Sequence, residues 1–271
     1  MKTLDEVLAE IRHWGYSAGG FAERYDRYRP RPPELLLDLL PRLAAVERPE
    51  LVVDLGSGTG LSTRFWAGHA GAVVGIEPNP EMLDVAVAVT DAANVSYVAA
   101  SSYDTGLPDA CADLVTCSQS LQWMEPEPTF AEVARILRPG RLFAAYEYRW
   151  SLTRSPAVNA AFETILARKT ELRDELRLDV GVARWPVTRE RFVESARFGT
   201  VDETRLHGVE ELNAERLVGF SLSEGSMATL LAAGVTEQQV GLDRLREVAT
   251  RELGDEPSPW FLGYRLVLGF R

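Results

Sequence analysis

Val52-Val53-Asp54-Leu55-Gly56-Ser57-Gly58-Thr59-Gly60 is the stretch whose reading decides the fold. Two β-branched residues run into an acid, and glycine then takes every second place. Beyond Gly60 the apolar spacing becomes that of Leu61, Phe65 and Trp66, which is helical, so the stretch reads as strand, tight turn and helix. Glycines in such a turn admit positive φ and leave no Cβ between backbone and ligand. The helix behind them offers free N–H groups and a positive dipole end to an anionic group. A second strand, Ala72 to Ile76, ends at Glu77. Doubly wound folds place there the acid that accepts hydrogen bonds from a ribose. A nucleoside-containing ligand is the first expectation.

The dinucleotide fingerprint G-x-G-x-x-G wants glycine where Leu61 stands, which makes an NAD-dependent oxidoreductase the least favoured reading. The stretch instead resembles motif I of the class I S-adenosylmethionine (SAM) methyltransferases, D-x-G-x-G-x-G. Leu107-Pro108-Asp109 and Asp113–Cys117 are similar to the loop and fourth strand of that family, and Ser118–Trp123 to the segment after it. Leu137-Arg138-Pro139-Gly140, ahead of a strand Arg141–Glu147, resembles its "LRPG" turn. The resemblance covers roughly residues 20–150 and points to the branch that methylates aconitate-like acids and natural products. Beyond it the likeness is one of layout.

The resemblance implies SAM as cofactor, S-adenosylhomocysteine as product, no metal and a small-molecule acceptor. Phe21–Pro30 resembles the branch's "Y-x-x-x-R-P" element and implies Tyr25 and Arg29 as SAM contacts; helix packing and solvation are the other reading. Asp54, Gly56, Ser57, Gly58, Gly60, Glu77, Pro78 and Met82 fall in the same implied site. So do Ser101, Ser102 and Tyr103 after the third strand, with Tyr103 where the family carries an acid beside adenine. Ser118, Gln119 and Trp123 follow the fourth strand. The plainer readings stay open: turn glycines, a helix-capping Asp54, an N-cap Ser118 and a core Trp123.

For chemistry, Gln122 stands where the branch often has His before Trp, and Gln cannot act as a base. Another group must serve, or the nucleophile must need none, as a carboxylate, thiolate or enolate would. Tyr146 and Glu147 end the fifth strand and are expected to reach one cleft, Glu147 as the better base candidate. His207 is the weaker one. A SAM-fold protein that holds the cofactor without transferring its methyl group is the alternative function.

Composition agrees with an ordinary globular chain: 271 residues, 46% hydrophobic, 25% charged. A net charge of −11 argues against a nucleic-acid partner, whose phosphates call for a basic face. His13, His69 and His207 lack paired-ligand spacing. Cys111 and Cys117 would sit at opposite ends of one strand, too far apart for a disulfide, so a reducing cytoplasm is expected. No run approaches a membrane span or signal peptide. A monomer or homodimer is expected.

Strands alternating with helices predict an α/β fold, a Rossmann-like, doubly wound sheet of seven mostly parallel strands with an antiparallel last strand, plus a helical cap. One methyltransferase domain, 1–271, is expected. Its SAM-binding core takes about 31–150, 198–208 and 258–271; the cap takes 1–30, 151–197 and 209–257. Amphipathic spacing predicts helices at Leu4–Ile11, after Pro32-Pro33 up to Pro41, and from Asn79-Pro80-Glu81. Further helices are expected at Pro126–Leu137, Ala157–Leu176, Val187–Ala196, Glu210–Phe220, Gly225–Ala232 and Glu237–Leu253. Val95–Val98, Thr200–His207 and Trp260–Phe270 are expected strands.

Overall fold

The computed structural model describes residues 3, 6, 19–149, 153, 155–178 and 186–271. The helix expected over Leu4–Ile11 lies, Glu6 apart, outside the described residues. β1 (Leu51–Leu55), β2 (Ala72–Ile76), β3 (Val95–Val98), β4 (Ala112–Ser118), β5 (Leu137–Arg149), β6 (Thr200–Leu212) and β7 (Ser258–Phe270) form one sheet, in order β3-β2-β1-β4-β5-β7-β6. β1 to β5 run parallel, and β7 lies antiparallel between β5 and β6. The expected seven-stranded, Rossmann-like sheet is thus what forms. Strand order reverses on either side of β1, and that switch point opens a crevice at the carboxyl ends of β1 and β4.

Helices cover both faces, so the central strands are apolar on both sides. On one face α2 (Leu35–Leu43), α6 (Pro156–Leu176), α8 (Ala214–Leu222) and α11 (Leu242–Glu252) pack Leu36, Leu40, Phe162, Leu217 and Leu245 against Val52, Leu114 and Leu142. On the other, α5 (Pro126–Ile136) and α7 (Arg189–Glu194) pack Phe130, Val133 and Phe192 against Val53, Val115 and Phe143. The remaining helices are α1 (Phe21–Tyr28), α3 (Leu61–Phe65), α4 (Pro80–Ala88), α9 (Gly225–Ala232) and α10 (Glu237–Val240). α1 is seated over the crevice by Phe21 and Ala22, which pack on Met82 of α4 and Ala228 of α9. Gly219 of α8 has no Cβ to collide with the Tyr28 ring, which lies directly on it.

Several boundaries differ from expectation. α2 runs through the buried Pro41 to Leu43. α5 stops at Ile136, and β5 begins at once with Leu137; Pro139-Gly140 lies inside the strand as an irregularity where Ala112↔Leu137 gives way to Leu114↔Leu142. Gly140 supplies the positive φ this bend needs, at 75°. α7 keeps only the centre of the expected Val187–Ala196. Glu210–Leu212 continue β6 opposite Trp260–Ser258, and α8 starts only after Asn213, whose side chain accepts from Arg216 N–H. The expected helix Glu237–Leu253 is two: a Thr236/Gln239 capping box starts α10, and Gly241, at φ 89°, ends it and separates it from α11.

Candidate functional site

Gly56, Gly58 and Gly60 all take positive φ, at 66°, 56° and 83°, for different reasons. A Cβ on Gly56 would meet Ser120 Cβ at 2.5 Å and Met124 Cε at 2.8 Å, so the loop closes directly on the segment after β4. A Cβ on Gly60 would run into the Tyr97 hydroxyl. Gly58 faces open space, with nothing within 4 Å. Only there does a bare backbone leave room for a ligand, and it lies beside Glu77. The Gly58 N–H donates to Glu77 Oε2 at 2.9 Å, and the Asn79 N–H donates to Oε1 at 2.9 Å.

Burial pushes the Glu77 carboxyl up to about 7, against the pull of those two backbone bonds. Asp54, one strand over, is pushed up to about 6, again chiefly by burial. Its oxygens accept from Thr63 Oγ1 at 2.8 Å and Thr116 Oγ1 at 2.9 Å, tying β1 to α3 and β4. Asp54 therefore fixes the base of the loop. Asn79 caps α4, as its sequence position predicts, and Pro78 is half-buried between it and Glu77. Met82 sits in the α1–α4–α9 contact. Ser57 tucks over Gly75 of β2.

Among the loops, buried Ser101 bridges to Asp104, and Ser102 turns its hydroxyl to Thr129 of α5 at 2.8 Å. Tyr103 is half-buried. Ser118 ends β4 in register with Tyr146. Gln119 is left-handed, at φ 59°, and Gln122 and Trp123 lie in one 3₁₀ turn, Leu121–Trp123. Gln122 Nε2 donates to the Gln119 carbonyl at 3.0 Å.

Tyr25 and Arg29 come from α1 and its end. The Arg29 guanidinium carbon lies 5.0 Å from the Tyr25 ring centre. Tyr25 is close enough to Glu77 for that carboxylate to help burial hold its phenol proton. α1 thus roofs the crevice.

Tyr146 and Glu147 do not converge. Strand alternation sends Tyr146 to the face of Leu142 and Ala144, where its hydroxyl lies 2.7 Å from Ser62 Oγ. Glu147 takes the opposite face, that of Arg265, whose Nη1 is 4.0 Å away. Burial holds the Tyr146 phenol well above its ordinary range, so it serves as a strut between β5 and α3. His207 is exposed on the edge strand β6, where it borders a groove of about 680 Å³ with Arg31, Phe65 and Tyr264. Tyr148, Ser62, Thr63, Thr116 and Tyr97 were not anticipated. Period-two spacing from Tyr146 signals Tyr148; the others carry no local signal.

Around the crevice several buried polar atoms have no hydrogen-bond partner among the described residues: Ser57 Oγ, Thr59 Oγ1, Asn79 Nδ2, Gln119 Nε2, Gln122 Oε1 and Arg29 Nε. Buried polar groups are ordinarily satisfied by protein or ordered water, and a polar ligand in the crevice would serve these atoms equally. With the bare Gly58 and the anchored Glu77 carboxylate, the crevice fits a nucleoside whose ribose hydroxyls donate to the acid. Among the described residues no group of His, Cys, Asp and Glu is disposed to hold a metal ion, and no helix is long and apolar enough to cross a membrane. Cys111 and Cys117 are free thiols.

Residues 53–145 match the family described as "Methyltransferase domain". An uncharacterized methyltransferase of Mycobacterium tuberculosis is 38% identical over 130 residues, 48% of this chain and 51% of the relative. A malonyl-[acyl-carrier protein] O-methyltransferase of Pectobacterium atrosepticum is 30% identical over 128 residues, 47% of this chain and 48% of the relative. The chain spans about half the length of these curated relatives. In fold it is similar to a structure from Anaeromyxobacter dehalogenans, provisionally assigned as a type II methyltransferase, with TM-score 0.64 and 24% identity over 90% of this chain and 98% of the other.

Proposed function

We propose that this chain, whose residues 53–145 carry a methyltransferase domain of the class I SAM-dependent type, transfers a methyl group from SAM to a small-molecule acceptor. The observation that carries the reading is the pair Glu77 and Gly58: a buried carboxylate held by backbone N–H groups beside the one of Gly56, Gly58 and Gly60 that faces open space. When bound, SAM supplies a methyl group already activated by its cationic sulfur. The chain's own task is placement. Glu77 takes the ribose hydroxyls, Gly58 admits the nucleoside, and Tyr25 covers it. Ser118, Gln119 and Gln122 border the acceptor side. Alignment in a closed site is worth about 7–11 kcal/mol. Gln122 offers no base, so either another group takes the proton or the acceptor arrives with its nucleophilic lone pair free. A cytoplasmic setting and a monomeric or homodimeric state belong to the same proposal.

S-adenosylhomocysteine at about 100 times its Kd is expected to stabilise the fold by about 2.7 kcal/mol in thermal melts. Stabilisation by NAD and not by this nucleoside would overturn the reading. Gly58→Ala should keep the fold within about 1–2 kcal/mol, the cost of a left-handed alanine. It should weaken the nucleoside by about tenfold or more in calorimetry, as about 1.4 kcal/mol does. Gln122 in place of a base is the one feature favouring a protein that holds SAM without transferring it. Labelled SAM incubated with metabolite pools separates the two readings.

A further inference from the structure

β6 is the last strand of the sheet, and one proline shows which of its backbone groups point outward. Residues of an antiparallel pair alternate between those that exchange both backbone hydrogen bonds and those that exchange neither. Glu211 stands opposite Pro259, which has no N–H to give, so that pair is of the second kind. By alternation Val209, His207, Arg205, Glu203 and Val201 also turn their N–H and C=O away from β7. Two arginines bear this out. Arg216 Nη1 donates to the Glu211 carbonyl at 2.6 Å, and Arg189 Nε donates to the Val201 carbonyl at 3.3 Å.

The arginines cap the strand at both ends and leave Glu203–Val209 open between them. There the outward groups of Glu203, Arg205, His207 and Val209 meet no other strand among the described residues. Open edges are ordinarily blunted by proline, lysine or a bulge. β6 contains neither proline nor lysine, and its pairing with β7 runs unbroken from Thr200 to Leu212.

The open stretch is centred on Leu206, and the capped residues Val201 and Glu211 lie equally far to either side. A second copy of the strand, antiparallel and related by a two-fold axis at Leu206, therefore matches both limits at once. It sets Glu203 against Val209 of the second copy and Arg205 against His207. These pairs exchange about eight backbone hydrogen bonds in all. Val209 and Phe261, directly opposite each other on β6 and β7, are 64% and 59% exposed, an apolar pair left on the surface. In the paired copies Val209 comes beside the start of the other α7, whose Arg189 N–H donates to Glu203. Charges meet beyond the ends. Val201 comes opposite the exposed Glu211 of the second copy, which brings the Arg189 cap beside that carboxylate. The exposed Asp202 comes opposite Glu210, beside which the N–H of the exposed Arg31 is bound.

We propose that a second copy of this chain pairs antiparallel with β6 over Glu203–Val209, on a two-fold axis at Leu206, and joins the two sheets into one. The pairing is independent of the methyltransferase reading. It gives His207 a place at an interface.

Analytical ultracentrifugation of the full chain tests it. The parent should be a dimer that dissociates on dilution. His207→Pro removes an N–H that β7 does not use, at an edge position where proline is tolerated. It should give monomer with a melting temperature close to the parent's. A charge swap decides the matter if that variant fails to fold. Arg189→Glu or Glu211→Arg alone should weaken the dimer about tenfold, as setting like charges against each other does. The double variant should recover to within about threefold of the parent. Val201 and Glu211 lie about 33 Å apart along one strand, so recovery can come only from contact between copies. A parent that is monomeric at every concentration overturns the inference. So does a dimer that folded His207→Pro leaves intact, or a double variant no better than the single ones.

Discussion

Replacing Glu77 by glutamine is expected to weaken S-adenosylhomocysteine by about 1–3 kcal/mol, the worth of hydrogen bonds to a charged group, and to reshape the pH dependence of folding. The sign follows from burial. The folded carboxyl titrates near 7, above the ordinary carboxylate value of 4.5. Below about 4.5 both folded and unfolded states are protonated and no penalty arises. Between 4.5 and 7 the unfolded chain ionises while the folded one keeps its proton, and stability falls by about 1.4 kcal/mol per pH unit. Above 7 the full penalty, about 3 kcal/mol, is in place. Glutamine does not titrate, so the stability of the variant relative to the parent should rise by up to about 3 kcal/mol across that window. Loss of one backbone acceptor offsets it by a constant of about 1 kcal/mol. Denaturant titrations of both proteins from pH 4 to 8 read the difference; parallel curves would show that Glu77 is not buried as an acid. Asp54, raised to about 6, adds a similar decline between roughly 4 and 6 in both proteins. The nucleoside should reverse the trend, since hydroxyls that donate to Glu77 select its ionised form.

Gly56→Ala should be the most damaging change in the loop, at about 3 kcal/mol. A left-handed alanine costs about 1–2 kcal/mol, and overpacking adds about 1–3 kcal/mol. The overpacking is specific: the new methyl would occupy the place of Ser120 Cβ and Met124 Cε. Ser120 cannot swing away cheaply, because its hydroxyl donates to the Leu55 carbonyl at 2.7 Å. Urea denaturation of the unliganded protein measures the loss. Gly58→Ala is the control, because its Cβ meets nothing. Equal losses at the two positions would mean that backbone conformation alone matters.

The sheet was legible because its signals are local: β-branched runs, glycines at the turn, an Asn-Pro helix start. The positions of Gly56–Gly60, Glu77 and Asn79 could be read for the same reason. What escaped were consequences of alternation and of distant packing. Tyr146 and Glu147 are neighbours in sequence, and a strand sends neighbours to opposite faces, so they cannot share a cleft. Glu210–Leu212 have a helical look, yet pairing with Ser258–Trp260 keeps them extended until Asn213 turns the chain. His207 carries no mark of lying on an edge strand, which depends on β7 entering between β5 and β6. The partners of Arg29 come from β5 and from the turn before α9, too far along the chain for any spacing rule to join them.

The insertion of β7 between two strands made before it also bears on biogenesis. During translation β6 leaves the ribosome long before β7, its ladder neighbour among the described residues. Until then thirteen residues carry open hydrogen-bonding edges on both sides, a state prone to intermolecular association. Chaperone demand and losses to inclusion bodies should therefore concentrate in that interval of synthesis, and slower decoding of the segment from α8 to α11 should lower the yield of folded protein.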